Sequence, residues 1–518
     1  MQDEPPSWDK VAPDKMALAL ALAPLLLFLA AILAPPINHD VAAVLSFAER
    51  WWAGEGLYTD LIDVNPPLIF VLNLPPAAIA DILGVDPVAA LQACLIFFGG
   101  LAWYLAWRVR DRAAEGGCRR ALLDVLPGLV AFCAGYDFGQ RETMMAAAAL
   151  PYLIAAARRA DGQAPPVVAA ALLAAVGFAL KPHFMAIPLL VELAVFAARM
   201  GRLGAAAAWG QTWRDRVLWT MALAWLAYLL ALVTLFSDYL TVVVPLVWDF
   251  YTDQGGKSAW DVLLVPRLAT ALILLAPLLV LVLRQRGGTA SLPRMLALAG
   301  IGAVASAVVQ HKGWTYHIVP VELFALSLAT LLAADWFDAQ RLAHPRRIAA
   351  ALSGLFALFC VEAGEAPWNQ IGWEKSDAYQ LVELLRPDAA GARVLVLSPG
   401  IAPIYPALNY VRARMTLRTM NTWLLGGAYQ KCLPNGARYR EVWEMERPEF
   451  FLYRTVAEDF ARAPPAAVVV DVSPAIPWCG EEFDFIAYFS RHQLFAEVWS
   501  NYRQSGAWGR YRVYTRKD

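Results

Sequence analysis

Residues 66–83 read Pro66-Pro67-Leu68-Ile69-Phe70-Val71-Leu72-Asn73-Leu74-Pro75-Pro76-Ala77-Ala78-Ile79-Ala80-Asp81-Ile82-Leu83, an apolar stretch near the length at which a helix can cross a bilayer. Whether it crosses decides the fold, because counting it as a span inverts the topology of everything after it. The paired prolines Pro66-Pro67 and Pro75-Pro76 remove backbone donors and suit a broken helix lying in the membrane interface. The arginines give an independent test. With 66–83 kept in the interface, one side of the membrane receives Arg108, Arg110, Arg112, Arg119, Arg120, Arg158, Arg159, Arg199, Arg202, Arg214, Arg216, Arg284, Arg286, Arg341, Arg346 and Arg347. The opposite short loops then hold little beyond Arg50, Arg141, Lys181, Lys257 and Lys312. Basic loops face the cytoplasm, so the amino terminus is expected inside and residues 66–83 at the outer surface.

The rest of the chain fits that frame. Of its 518 residues 59% are hydrophobic and 17% charged, too apolar for a soluble protein of this size. A net charge of -1 supplies no global field for nucleic acid. Apolar runs at 16–36, 87–107, 121–136, 143–157, 165–180, 184–198, 217–236, 262–283, 295–310, 316–334 and 348–363 predict about eleven transmembrane helices. The leader before the first run lacks a small-residue cleavage pattern, so that helix is expected to be retained. After residue 364 the composition turns mixed, and the runs Arg393-Val394-Leu395-Val396-Leu397 and Ala467-Val468-Val469-Val470-Asp471 read as strands. The expected fold is a polytopic α-helical membrane protein with a C-terminal extracytoplasmic α/β domain. The membrane domain covers 1–363, with 37–86 as a first outer loop carrying the interfacial helix, and the outer domain covers 364–518. The expected location is the inner (plasma) membrane, multi-pass, with the outer domain in the periplasm or its equivalent. Cys432 and Cys479 are the two cysteines of that outer domain, and an oxidising compartment permits a disulfide between them.

On this topology the few charged residues of the outer side form clusters. The first is Asn38-His39-Asp40, just after the first helix. A carboxylate there can act as general base for an incoming hydroxyl, or it can cap a helix starting at Val41. The loop that follows runs Gly54-Glu55-Gly56-Leu57-Tyr58-Thr59-Asp60-Leu61-Ile62-Asp63-Val64-Asn65-Pro66-Pro67. Its glycines permit tight turns, and Asp60 and Asp63 bring carboxylates to the interface. Arg141, followed by Glu142, is the sole basic residue of a short loop, and its guanidinium suits a phosphate. An ion pair with Asp137 or Glu142 is the plainer use for it. Lys181-Pro182-His183 and Gln310-His311-Lys312-Gly313-Trp314-Thr315-Tyr316-His317 occupy two further outer turns. Four of the six histidines, His39, His183, His311 and His317, thus fall at outer helix ends. With Arg141, Lys181 and Lys312 they make a cationic collar at the depth of a lipid phosphate.

Metal chemistry has no sequence signature here. His311 and His317 are six apart, and no HExxH or cysteine-rich spacing appears. A divalent ion shared between a carboxylate and a phosphate stays open on chemistry alone. No Walker A motif, dinucleotide fingerprint or GxSxG elbow is present.

Taken together, the layout resembles the GT-C superfamily of integral-membrane glycosyltransferases, particularly the relatives of protein mannosyltransferases and of the lipid A aminoarabinose transferase. The resemblance rests on His39-Asp40, Gly56 to Asp60, Asn65 to Leu68, and the outer basic residues Arg141, Lys181 and Lys312, and spans most of the membrane region. It implies a polyprenyl-phosphate sugar donor, a glycan, lipid or protein acceptor, and transfer with inversion and without a nucleotide sugar or other cofactor. It places Asp40 at the general-base position. Arg141, Lys181, His183 and Lys312 would stabilise the leaving lipid phosphate. The remaining candidates for substrate contact are His39, Tyr58, Asp60, Asp63, Asn65, Glu142, His311 and His317. Val64-Asn65 stand where the aminoarabinose transferases carry Glu-Lys, and Val41 follows Asp40 where protein mannosyltransferases have an acidic pair.

Two other classes use some of the same features. A transporter or flippase of a lipid-linked saccharide also needs many helices and cations near a phosphate, and Glu192 and Glu322 lie inside predicted helices where a transport site would sit. Against it, the polar motifs fall at helix ends and the halves show no repeat. A non-enzymatic envelope assembly protein accounts for the outer domain but not for the collar.

Overall fold

The structure, a computed structural model, describes residues 15–251, 256–285, 291–429, 431–476 and 482–517. The chain forms two compact units, one of Met1–Ala34, Leu95–Tyr228 and Lys257–Asn369, the other of Pro35–Cys94, Leu229–Gly256 and Gln370–Asp518.

The first unit is helical. Each of the apolar runs expected from the sequence falls on a helix. Eight helices among the described residues are long and apolar enough to cross a membrane: Lys15–Leu33, Pro87–Val109, Pro182–Leu203, Arg216–Thr234, Pro266–Arg284, Ser291–Val309, Thr315–Ala339 and Pro345–Gly364. Three expected runs fold as Gly117–Phe132, Arg141–Ala160 and Val168–Ala179. Arg141–Ala160 is the most enclosed, with nearly every residue buried. Its alanines allow this, because small side chains let neighbouring backbones approach without the hydrophobic effect as a driving force. At Gly177 an added Cβ would lie 2.8 Å from Ala148 Cβ, and at Gly302 it would lie 2.9 Å from Ile187 Cα. Both glycines mark crossings that larger residues would push apart. Leu25, Ile32, Ala131, Phe132, Ala147 and Ala148 belong to one buried cluster of this unit. Large apolar side chains such as Leu27 and Leu283 are instead exposed, as suits a face meeting lipid.

At the Arg159 end of Arg141–Ala160 the helices are tied by buried charge. Arg159 donates to Glu192 at 2.8 and 2.7 Å and to Asp215, Arg199 pairs with the same Asp215, and Tyr152 donates to Glu192 at 2.8 Å. Elsewhere in this unit, Asp338 accepts from the Cys118 and Arg119 amides at 2.7 and 2.9 Å, and Asp335 holds the Arg119 guanidinium. Arg119, Arg159 and Arg199, three of the arginines on which the expected orientation rests, are therefore also structural.

The second unit builds the first loop and the C-terminal residues into one body. Strands β1 (Arg393–Leu397), β2 (Arg414–Met415), β3 (Ala467–Asp471), β4 (Tyr502–Trp508) and β5 (Tyr511–Arg516) form a sheet in the order β2-β1-β3-β5-β4. β1 runs parallel to both β2 and β3, with Val394 opposite Ala467, and β5 returns antiparallel to β3. β3 is buried throughout, as expected of a central strand with a continuous apolar run. The helix His39–Trp52 packs on this domain. Asn409 Nδ2 donates to the Ala42 carbonyl at 3.0 Å, Ile37 N donates to Tyr410 at 3.0 Å, and Arg50 donates to the Leu417 carbonyl at 2.7 Å while gripping Glu55. Ile62 adds a short parallel bridge to Thr419.

The segment that opened the sequence reading forms the helix Pro67–Leu83, and it runs through Pro75 and Pro76 without a break. The expected interruption at the second proline pair is therefore corrected. The prolines remove two amide donors, but the helix keeps its course by burying Ile69, Phe70, Asn73, Pro76, Ala77 and Ala80 on one face. Val71, Ile79, Ile82 and Leu83 stay exposed. Cys432 is disulfide-bonded, Cys94, Cys118, Cys133 and Cys360 are free thiols, and Cys479 lies outside the described residues.

Candidate active site

The candidate residues divide between the two units. In the second, Asn38 is the N-cap of His39–Trp52, its side-chain oxygen accepting from the amides of Asp40 at 2.9 Å and Val41 at 3.4 Å. The helix therefore begins at His39 with Asn38 as its cap, and the alternative in which Asp40 caps a helix starting at Val41 is not the one formed. Asp40 sits in the first turn, where the exposed amides favour a negative charge. Its carboxylate lies 3.8 Å from His39 Nε2, with both side chains partly accessible.

The acidic loop is largely a device for shaping the chain. Asp60 Oδ2 accepts from Gly56 N at 2.9 Å, closing a turn in which any Cβ at Gly56 would strike Thr59. Asp63 Oδ1 accepts from both the backbone and side-chain nitrogens of Asn65, at 2.8 and 2.7 Å. That turn delivers the chain to Pro66 and the helix Pro67–Leu83. Tyr58, with φ at 71°, is fully buried. Its hydroxyl donates to the Asn65 carbonyl at 2.6 Å, and its ring meets Phe70, Phe236 and Tyr239. Asp60, Asp63, Asn65 and Tyr58 thus hold one another's loop in shape.

In the first unit the structure gathers Glu142, Lys181, His183 and His317 around one point. Lys181 Nζ donates to Glu142 Oε1 at 2.6 Å and lies 3.4 Å from Gln310 Oε1. His317 Nε2 is 4.0 Å from the same carboxylate oxygen. Tyr316 offers its ring to Lys181 at 5.1 Å, and Trp314 offers its ring to Lys312 at 6.0 Å. Arg141, Lys181, His183 and Lys312 all act electrostatically on His317, so four chain-distant segments meet here. Arg141, Glu142, Lys181, Lys312 and His317 are all buried. Glu142 pairs across helices with Lys181. Glu142 Oε2, His183 Nε2 and His317 Nδ1 are buried polar atoms without a hydrogen-bond partner among the described residues. Buried polar atoms are rarely left so unless a ligand or water completes them. His311 takes no part: it is exposed, and its ring bonds the Lys257 carbonyl at 2.8 Å.

Sequence reasoning missed a second group beside this one. Arg267 makes two hydrogen bonds of 2.8 Å to Glu322. Asp137, in the turn Gly135–Asp137, is buried near Arg267, Glu142, Glu322 and Glu365, and burial pushes its carboxyl up to about 7. The signal was an arginine in the first turn of the otherwise apolar helix Pro266–Arg284. Glu192 and Glu322, the two residues that left room for a transporter, are both held in buried ion pairs.

Comparison with solved structures gives the fold. The chain is similar to ArnT from Cupriavidus metallidurans bound to undecaprenyl phosphate, with a TM-score of 0.55 at 12% identity, over 97% of this chain and 98% of that one. The apo state of that protein aligns with a TM-score of 0.47 at 14% identity, over 97% and 98%. Arabinofuranosyltransferase AftD from Mycobacteria aligns with a TM-score of 0.38 at 16% identity, over 98% of this chain and 40% of that one. No family model matches the sequence, and no curated protein matches it. The fold is that of the ArnT structure over nearly the whole chain.

Proposed function

We propose that the protein is a membrane glycosyltransferase moving a sugar from a polyprenyl-phosphate donor to a hydroxyl of an envelope glycan, lipid or protein, with inversion at the anomeric carbon. The observation that carries this reading is the assembly of buried Arg141, Lys181, Lys312 and His317 with half-buried His183 at shared helix ends. Burying cations in a helical membrane unit is costly, and an anionic ligand with hydrogen-bonding oxygens repays it. A lipid phosphate is such a ligand, and the ArnT structure that shares the fold was solved with undecaprenyl phosphate.

In this reading Asp40 takes the proton of the acceptor hydroxyl as that oxygen attacks the anomeric carbon. The bond from that carbon to the phosphate oxygen breaks with its electron pair going to the phosphate. Arg141, Lys181, His183 and Lys312 stabilise the charge that grows there. His39 is beside the proposed base. Asp60, Asp63, Asn65 and Tyr58 shape the loop leading to the helix Pro67–Leu83, which lies in the outer interface. The amino terminus is cytoplasmic and the α/β domain extracytoplasmic, in the inner (plasma) membrane, and no metal or nucleotide takes part. Glu192 and Glu322, the residues that left room for a flippase, are each paired with an arginine, Arg159 and Arg267 respectively.

The test is transfer itself. Purified protein given a polyprenyl-phosphate sugar and a hydroxyl acceptor should release polyprenyl phosphate and form a glycosidic bond. Movement of labelled lipid across vesicles with no glycosidic product would overturn the assignment.

A further inference from the structure

The turn that carries Asp40 is held from outside its own helix at two places. Three residues before it, Ile37 N donates to the Tyr410 hydroxyl at 3.0 Å; two residues after it, the Ala42 carbonyl accepts from Asn409 Nδ2 at 3.0 Å. Asn409 and Tyr410 are the last two residues of the helix Ile404–Tyr410, in the same compact unit as Asp40. Adjacent side chains of one helix thus bracket the first turn of another. Such a turn needs support, because the first amides of a helix have no partner within it. Asn38 supplies part of it, its side chain at the Asp40 and Val41 amides and its carbonyl at the Ala42 amide.

Two features set the bracket apart from ordinary packing. Asn409 Oδ1 is buried without a hydrogen-bond partner among the described residues, a cost that an apolar side chain of similar size would avoid. The amide bears it while Nδ2 holds Ala42. The Tyr410 ring is itself packed 5.1 Å from the Trp373 ring, which fixes the place of its hydroxyl. The far end of His39–Trp52 is tied separately, by Arg50 to the Leu417 carbonyl at 2.7 Å, so the helix stays attached to the domain when the bracket is loosened.

We infer that Asn409 and Tyr410 are positioning residues for Asp40, through which the C-terminal α/β domain sets the place of the proposed base. The inference rests on the reading of Asp40 as that base. A general base works only within hydrogen-bond reach of the proton it takes, and a displacement of about 1 Å can cost on the order of a hundredfold in rate. The side chains proposed to bind phosphate belong to other helices and keep their partners when the bracket is loosened. Turnover should therefore fall while donor affinity holds.

Tyr410→Phe keeps the ring and removes only the hydroxyl, and Asn409→Ala removes the amide. Each is measured as purified full-length protein, for turnover with the polyprenyl-phosphate sugar and hydroxyl acceptor that wild type uses, and for affinity with undecaprenyl phosphate. Tyr502→Phe is the control, because it removes a buried hydroxyl bond of the same domain, to the Pro465 carbonyl at 2.6 Å. Tyr410→Phe and Asn409→Ala should each lower kcat by about tenfold or more with affinity nearly unchanged, whereas Tyr502→Phe should melt earlier and keep its kcat. In an Asp40→Asn background the two substitutions should lower the residual rate little further, because they act through that carboxylate. A merely structural pair would add its full loss there. Should Asn409→Ala fail to fold, Tyr410→Phe and its combination with Asp40→Asn carry the test. Equal kcat in wild type and Tyr410→Phe, or losses fully additive with Asp40→Asn, overturns the positioning role and leaves the base standing. Undiminished transfer by Asp40→Asn overturns the base and the positioning role together, and a wild type that transfers no sugar overturns the donor reading beneath both.

Discussion

Asn38 Oδ1 accepts a hydrogen bond from the backbone amide of Asp40 at 2.9 Å, so the residue before the helix does the capping and the aspartate stands inside the first turn. Asn38→Ala should cost about 1 kcal/mol through the lost cap. It should also lower transfer more than donor binding, because the first turn carrying Asp40 frays. Asn38→Ser should restore both. Thermal midpoints in detergent and steady-state rates decide this.

Arg267 and Glu322 should behave as a pair. Removing one leaves a buried charge uncompensated, so Glu322→Ala should destabilise the protein by roughly 3–5 kcal/mol, and replacing both residues by methionine should recover most of the loss. A transport role would make Glu322 indispensable whatever stands at position 267. Denaturation of the two variants separates these cases.

Asp137 carries a pH signature. Its folded pKa of about 7 lies above its ordinary value of 3.8, so between those values the folded state binds more protons than the unfolded one. Its stabilising contribution is then complete below pH 3.8 and lost as pH rises through about 7. Asp137→Asn should match wild type near pH 4 and exceed it at pH 8 by roughly 2–4 kcal/mol. A melting series across that range reads it, and equal pH dependence in both proteins would contradict the burial argument.

Transfer by the proposed route needs no metal. Exhaustive treatment with EDTA should leave the rate unchanged, and loss of activity restored by a divalent cation would place an ion in the site.

The membrane helices were legible because bilayer thickness constrains the length of apolar runs strongly. The eleven apolar runs lie on helices, and β1 and β3 fall on the two apolar runs read as strands. The break expected at Pro75-Pro76 was misread because a buried face can carry a helix past two missing amide bonds. The pairings among the candidate residues were not legible. Nothing local joins Glu142 to Lys181 or Arg267 to Glu322, and only packing of distant helices does so. Of the two uses open to Asp40, the cap fell away because Asn38, two residues earlier, offers the same acceptor chemistry and holds the position. Tyr58 and Asn65 stood out in a loop dense with turn formers, and the structure shows them bonding to one another across that turn.

The most direct test compares wild type and Asp40→Asn in purified form with a polyprenyl-phosphate sugar and a hydroxyl acceptor, measuring glycosidic product and donor affinity together. Wild type should form product, while Asp40→Asn should lose at least about a hundredfold in turnover, as expected for removal of a general base, with donor affinity nearly unchanged. Undiminished transfer by Asp40→Asn would contradict the assignment of the base.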